Sequence, residues 1–125
     1  MVNPTRFRQA ENGANQKIEF GDAETESGYK SLFEMDPYQH VKENTRYPAF
    51  QFTVGMNDRR VAPWMTGKMA ARLQAASTSG KPVLIRIDAD AGHGVGSGRD
   101  QVSAQLADVY SFLLAATGDP AFHLE

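Results

Sequence analysis

Two residues stand out for their chemistry: Asp58, in the run Asn57-Asp58-Arg59-Arg60, and His93, held between glycines in Ala91-Gly92-His93-Gly94. A carboxylate beside an imidazole is the orienting half of a hydrolytic triad. The acid accepts a hydrogen bond from one ring nitrogen, fixes the tautomer and stabilises the imidazolium, while the other nitrogen takes a proton from a nucleophile. Glycines flanking His93 let its loop turn tightly and keep neighbouring side chains off the ring. Acid before histidine is also the chain order of α/β-hydrolases, in which the nucleophile precedes both. The same residues admit a plainer reading, with Asp58 capping the helix that follows and His93 an ordinary loop histidine.

Other constellations are weaker. Asp88, Asp90 and His93 invite a metal reading, but the EF-hand pattern needs a third Asp or Asn, then Gly, then a distant Glu, and fails here. Asp88 and Asp90 are better read as ending a strand and bracing the histidine loop. The glycine run from Gly92 to Gly98 misses G-x-G-x-x-G in both registers, and Gly67-Lys68 is followed by Met69 where a phosphate loop has Ser or Thr. Neither metal nor cofactor is expected. His40 and His123 read as surface or structural residues, and Trp64 as either lining a pocket mouth or packing.

The elements that must position Asp58 and His93 are legible from position 47 onward. Residues 47–54 are rich in aromatic and β-branched types and read as a buried strand, with Pro48 tolerated near its start. Pro63 suits the first turn of a helix in which Met65, Met69, Leu73 and Ala76 recur on one side, and Ser77 to Gly80 stop it. Residues 82–87 form a second strand with the near-continuous apolar run of parallel sheets. A last helix spans about 100–116, with Val102, Leu106, Val109, Tyr110, Leu113 and Leu114 as one wide apolar stripe and Gly118 just past its end. Strand, helix, strand, helix predicts two parallel strands joined by a right-handed crossover. The fold class is α/β, and both chemical loops fall at carboxyl ends of strands, where such sheets gather ligands. Residues 1–46 read as mostly loop and helix: a short strand near Ile18 to Phe20, and a helix over 23–35 carrying Tyr29, Leu32 and Phe33, ended by Asp36-Pro37.

Composition bounds the rest. The chain has 125 residues, a net charge of -2 and no cysteine, which removes thiol nucleophiles, disulfides and Cys-ligated zinc. No basic cluster speaks for nucleic acid or an anionic membrane surface as partner. No apolar run reaches the ~18 residues of a membrane span. The lack of cysteine is compatible with either cytoplasm or periplasm.

Several blocks carry a resemblance: Tyr47-Pro48-Ala49, the segment from Gly55 through Asn57-Asp58-Arg59-Arg60-Val61-Ala62-Pro63 to Trp64, Lys68, Pro82 to Arg86, and Ala91 to Gly94. Upstream, Arg6-Phe7, Glu19-Phe20-Gly21 and Met35 to Val41 join them. Together they resemble the C-terminal part of the peptidase domain of the prolyl oligopeptidase family of serine peptidases, over nearly the whole chain. The resemblance implies the C-terminal portion of an α/β-hydrolase fold, parallel strands with flanking helices. It matches Asp58 to the triad acid and His93 to the general base. It matches Arg60 to the arginine that hydrogen-bonds a substrate backbone carbonyl, a task suited to its permanently charged planar fork.

One part of that pattern is missing. None of Ser27, Ser31, Ser77, Ser79, Ser97, Ser103 and Ser111 sits in G-x-S-x-G, and Ser97, nearest by eye, follows the histidine. The expectation is therefore a C-terminal fragment of an enzyme that cleaves short peptides after proline. Its partners would be the peptide substrate and the missing N-terminal portion of the same protein, which would supply nucleophile and oxyanion hole. By itself the chain is expected to be inactive, and two strands with open edges to self-associate. The alternative is a non-catalytic binding or assembly module derived from an α/β-hydrolase.

Overall fold

The computed structural model describes residues 2–94 and 97–122, so Val95, Gly96 and His123 lie outside it. After a 3-10 turn at Pro4–Gln9 come helices α1 (Gly13–Phe20) and α2 (Glu26–Glu34), strand β1 (Phe50–Gly55), helix α3 (Pro63–Ala76), strand β2 (Val83–Asp88) and helix α4 (Arg99–Thr117). Strands β1 and β2 pair directly and in parallel, with Phe50 opposite Val83 and Gly55 opposite Asp88. That register ends both strands at the same level. The α/β architecture with parallel strands and flanking helices is thus present.

Helix α3 covers the strands and organises two apolar clusters. Its carboxyl-terminal half contributes Ala70, Leu73 and Ala76 to a cluster with Val41 and Val83, against which Phe50, Phe52, Met69 and Ile85 pack. Phe50 and Phe52 stack at 5.9 Å, as alternate residues on one sheet face can. The first turn of α3 turns the other way and buries Met65 with Phe7 and Leu32, all fully excluded from solvent. Each such side chain contributes roughly 1.5–3 kcal/mol of burial. A polar tie reinforces the second cluster: Lys68 Nζ donates to Asn3 Oδ1 at 3.1 Å and lies 4.6 Å from the centre of the Tyr38 ring.

The N-terminal segment corrects one expectation. Ile18 to Phe20 is not a strand but the last turn of α1, with Ile18 87% exposed. The β-favouring types of Ile18 and Phe20 are outweighed by tertiary packing. Phe20 lies against the Phe7–Leu32–Met65 cluster, and a Cβ on Gly13 would press on Phe7 O at 2.8 Å, so glycine lets α1 lie close over the 3-10 turn. Helix α2 is capped by Thr25, whose hydroxyl accepts from Gly28 N.

Helix α4 begins where the Gln101 side chain accepts Gly98 N–H at 2.8 Å and ends in a left-handed Gly118, φ 88°. It is fastened by the Arg86–Asp108 ion pair, 2.7 Å, and buries Phe112. Five of the six residues of its expected apolar stripe face solvent. Phe112 is covered, whereas Val102, Leu106, Tyr110, Leu113 and Leu114 are between 37% and 59% exposed. No helix among the described residues is long and apolar enough to cross a membrane.

Candidate active site

The loop after β1 turns at once, with Asp58 N–H donating to Gly55 O at 3.2 Å. This bend folds the Asp58 carboxylate over its own chain. Oδ1 accepts the backbone N–H groups of Arg60 (2.9 Å) and Val61 (2.8 Å), leaving Oδ2 to face the loop after β2. There it meets His93 Nδ1 at 2.7 Å. The Asp58 side chain is 9% exposed and the His93 ring 40%.

Electrostatics fixes the hydrogen in this contact. Burial, the largest single influence, pushes the Asp58 carboxyl up. The hydrogen bonds from Val61 N–H, His93 and Arg60 N–H, together with the charge His93 can carry, outweigh it and hold the group below the ordinary carboxylate value. An ionised carboxylate can only accept, so Nδ1 carries the hydrogen, and in the neutral ring Nε2 is the nitrogen that keeps its lone pair. That nitrogen has no hydrogen-bond partner among the described residues. The arrangement can take a proton at Nε2 and stabilise the imidazolium that results.

What holds two loops in register at this distance is mostly main chain. Met56 N–H donates to Asp88 O at 2.9 Å and Asn57 N–H to Ala91 O at 3.0 Å, while Asn57 Nδ2 reaches Ala89 O at 3.2 Å. The histidine loop passes so close over β1 that a Cβ on Gly55 would overlap the carbonyl oxygens of Ala91 and Gly92. Gly94, beyond the ring, takes the left-handed φ of 80° that favours glycine.

Asp58 and His93 border a cleft of about 280 Å³ whose wall includes Thr66, Arg86, Asp88, Ser97 and Gln105. Sequence and structure differ in detail over the other candidates. Asp88 does brace the histidine loop, accepting Asp90 and Ala91 N–H, whereas the Asp90 side chain is exposed and takes no part. Arg60 lies on the acid's loop with an exposed side chain and does not line the cleft. Trp64 both packs on the Phe7 cluster and lines a neighbouring groove with Met56 and Pro63. Ser97 reaches the cleft wall but makes no hydrogen bond to His93. Among the described residues, no three His, Asp or Glu side chains group to hold a metal ion.

Gln16 has no signal in the sequence. This α1 residue is 6% exposed, and its Nε2 donates to Arg60 O at 3.3 Å, tying the acid's loop to the N-terminal segment. Gly55 was legible only as the end of a strand; the close approach that demands glycine there depends on a loop far along the chain.

The sequence model of the prolyl oligopeptidase family, Peptidase_S9, matches positions 5–120. The prolyl endopeptidase of Elizabethkingia meningoseptica is 35% identical over 114 residues, 90% of this chain and 16% of that protein. Dipeptidyl aminopeptidase BI of Pseudoxanthomonas mexicana is 32% identical over 104 residues, covering 83% and 14%. Among solved structures, a prolyl endopeptidase described for inter-domain dynamics in catalysis and specificity superposes with a TM-score of 0.85 at 32% identity, over 90% of this chain and 17% of that one. Prolyl oligopeptidase B from Galerina marginata, bound to a 35mer hydrolysis and macrocyclization substrate, matches with a TM-score of 0.85 at 28% identity, over 94% and 17%. The chain thus spans about a sixth of the length of these relatives.

Proposed function

This chain belongs to the prolyl oligopeptidase family, and we propose on that footing that it is the part of a serine peptidase carrying the acid and the base of the catalytic triad. The observation that supports this reading most is the 2.7 Å contact between His93 Nδ1 and an Asp58 carboxylate already fixed by two backbone N–H groups. The substrate is a short peptide, cleaved after proline as the names of the relatives suggest.

In this mechanism a serine contributed by polypeptide outside these 125 residues attacks the scissile carbonyl. His93 Nε2 takes the hydroxyl proton as the new C–O bond forms, and Asp58 stabilises the imidazolium. When the C–N bond breaks, the same nitrogen returns the proton to the leaving amine. Water then hydrolyses the acyl-enzyme by the reverse exchange. Arg60, on the acid's loop, hydrogen-bonds a backbone carbonyl of the peptide. By itself the chain has no activity, and its open strand edges and exposed α4 face make it self-associate.

Two experiments test this. A fluorophosphonate probe should leave every serine of the isolated chain unlabelled, and stoichiometric labelling, at Ser97 above all, would overturn the external nucleophile. Supplying the complementary portion of the catalytic domain should restore cleavage of a prolyl peptide, and His93→Ala should remove it. Cleavage that survives His93→Ala would refute the assignment of the base, and a well-folded complex that never cleaves would favour the non-catalytic module.

A further inference from the structure

We propose that Asp88 is a positioning residue for His93, acting through one carboxylate oxygen that sets the path of the histidine loop. The inference rests on the reading of Asp58 and His93 as a paired acid and base. Asp88 is the last residue of β2, opposite Gly55, and its side chain is 16% exposed. Its Oδ1 accepts two N–H groups of the segment that leaves the strand, Asp90 at 3.1 Å and Ala91 at 3.0 Å. Ala91 O in turn accepts Asn57 N–H at 3.0 Å. The two ends of this short relay are the residues that must meet. Asp58 follows Asn57 directly, and His93 lies two positions beyond Ala91.

Geometry makes this placement consequential. The contact is 2.7 Å and ceases to be a hydrogen bond by ~3.6 Å, so a displacement of the loop by about 1 Å uncouples the ring from the acid. Without the Asp88 oxygen, the Asp90 and Ala91 N–H groups lose their acceptor and the segment over Gly55 can lift. Charge is a secondary matter. Asp88 Oδ2 stands 3.7 Å from Arg86 Nη1, while Arg86 Nε is engaged by Asp108 at 2.7 Å. What the turn requires is an acceptor at the reach of one methylene. An asparagine offers that and a glutamate, though charged, does not.

The imidazole nitrogens of the 125-residue chain report on this directly, because pairing with Asp58 forces the Nδ1–H tautomer, whereas a free neutral imidazole favours Nε2–H. The ring 15N shifts of His93 would be recorded at a pH where the ring is neutral and assigned by His93→Gln. The Nδ1–H form should dominate in the unmodified chain and in Asp88→Asn, and shift toward Nε2–H in Asp88→Glu and Asp88→Ala. Amide resonances of α3 should stay unchanged, which separates positioning from general loss of structure. Retention of the Nδ1–H form in Asp88→Glu, or its loss in Asp88→Asn, would overturn the proposal while leaving the Asp58–His93 reading standing. An Nε2–H ring in the unmodified chain would instead sink that reading and the proposal with it.

Discussion

Helices α3 and α4 carry comparable apolar stripes and meet opposite fates. Met65, Ala70, Leu73 and Ala76 of α3 are buried, against the N-terminal segment at one end and the strands at the other. On α4, Val102, Leu106, Tyr110, Leu113 and Leu114 remain open to solvent while Phe112 alone is buried. An apolar stripe states that a helix face requires cover, but it does not state where the cover comes from. For α3 the partners lie within these residues. For α4 they do not, among the residues described, and five large apolar side chains of that helix stay open to solvent.

The contrast can be pressed hardest at Leu73. Truncating this fully enclosed side chain to alanine should cost about 2–5 kcal/mol through lost burial and the cavity left behind. Denaturant unfolding followed by circular dichroism measures it. A loss below ~1 kcal/mol would mean that the covered flank is no better packed than the open one. Gly55→Ala should cost about 1–3 kcal/mol, because its Cβ must displace the Ala91 and Gly92 carbonyls. The same change should part His93 from Asp58, a separation visible in the ring nitrogen shifts.

Acid supplies a smaller effect with a defined sign. The folded carboxyl of Asp58 lies below its unfolded value, so its contribution is fully present above ~4 and is lost as pH falls through the folded value. Stability measured from pH 6 downward should decline, and the decline should flatten in Asp58→Asn. At the far end, Leu106→Ser with Leu113→Ser should move the unfolding free energy of the monomer by only ~0.5 kcal/mol. Sedimentation should nevertheless show the double variant monomeric where the parent chain associates. Continued association would place the contact on the strand edges instead.

The part of the fold that was readable in advance is the part encoded locally. Pro63 and Ser77 bracket α3 as expected, the 82–87 strand lies one residue from its observed span, and the α4 limits differ by one residue at each end. The parallel pairing followed from the order of elements, and with it the meeting of Asp58 and His93. Reading failed where the deciding contact is remote. Ile18 to Phe20 turns helical with Phe20 packed on the cluster of Phe7, Leu32 and Met65, which are distant in sequence. The buried Gln16 takes its partner from Arg60, far along the chain. No local pattern records such contacts.

The ties between the two loops have a consequence for how freely this region can vary. Met56, Asn57 and Asp58 each offer a backbone N–H, as do Arg60 and Val61 to the acid and Asp90 and Ala91 to Asp88. Every residue type but proline carries that group. A library randomising 56, 59, 89 and 90, with Gly55, Asn57, Asp58, Asp88 and His93 kept, should therefore return many sequences in which the Asp58–His93 contact survives. Drift at those four positions is free to remodel the surroundings of the site while its centre keeps its shape.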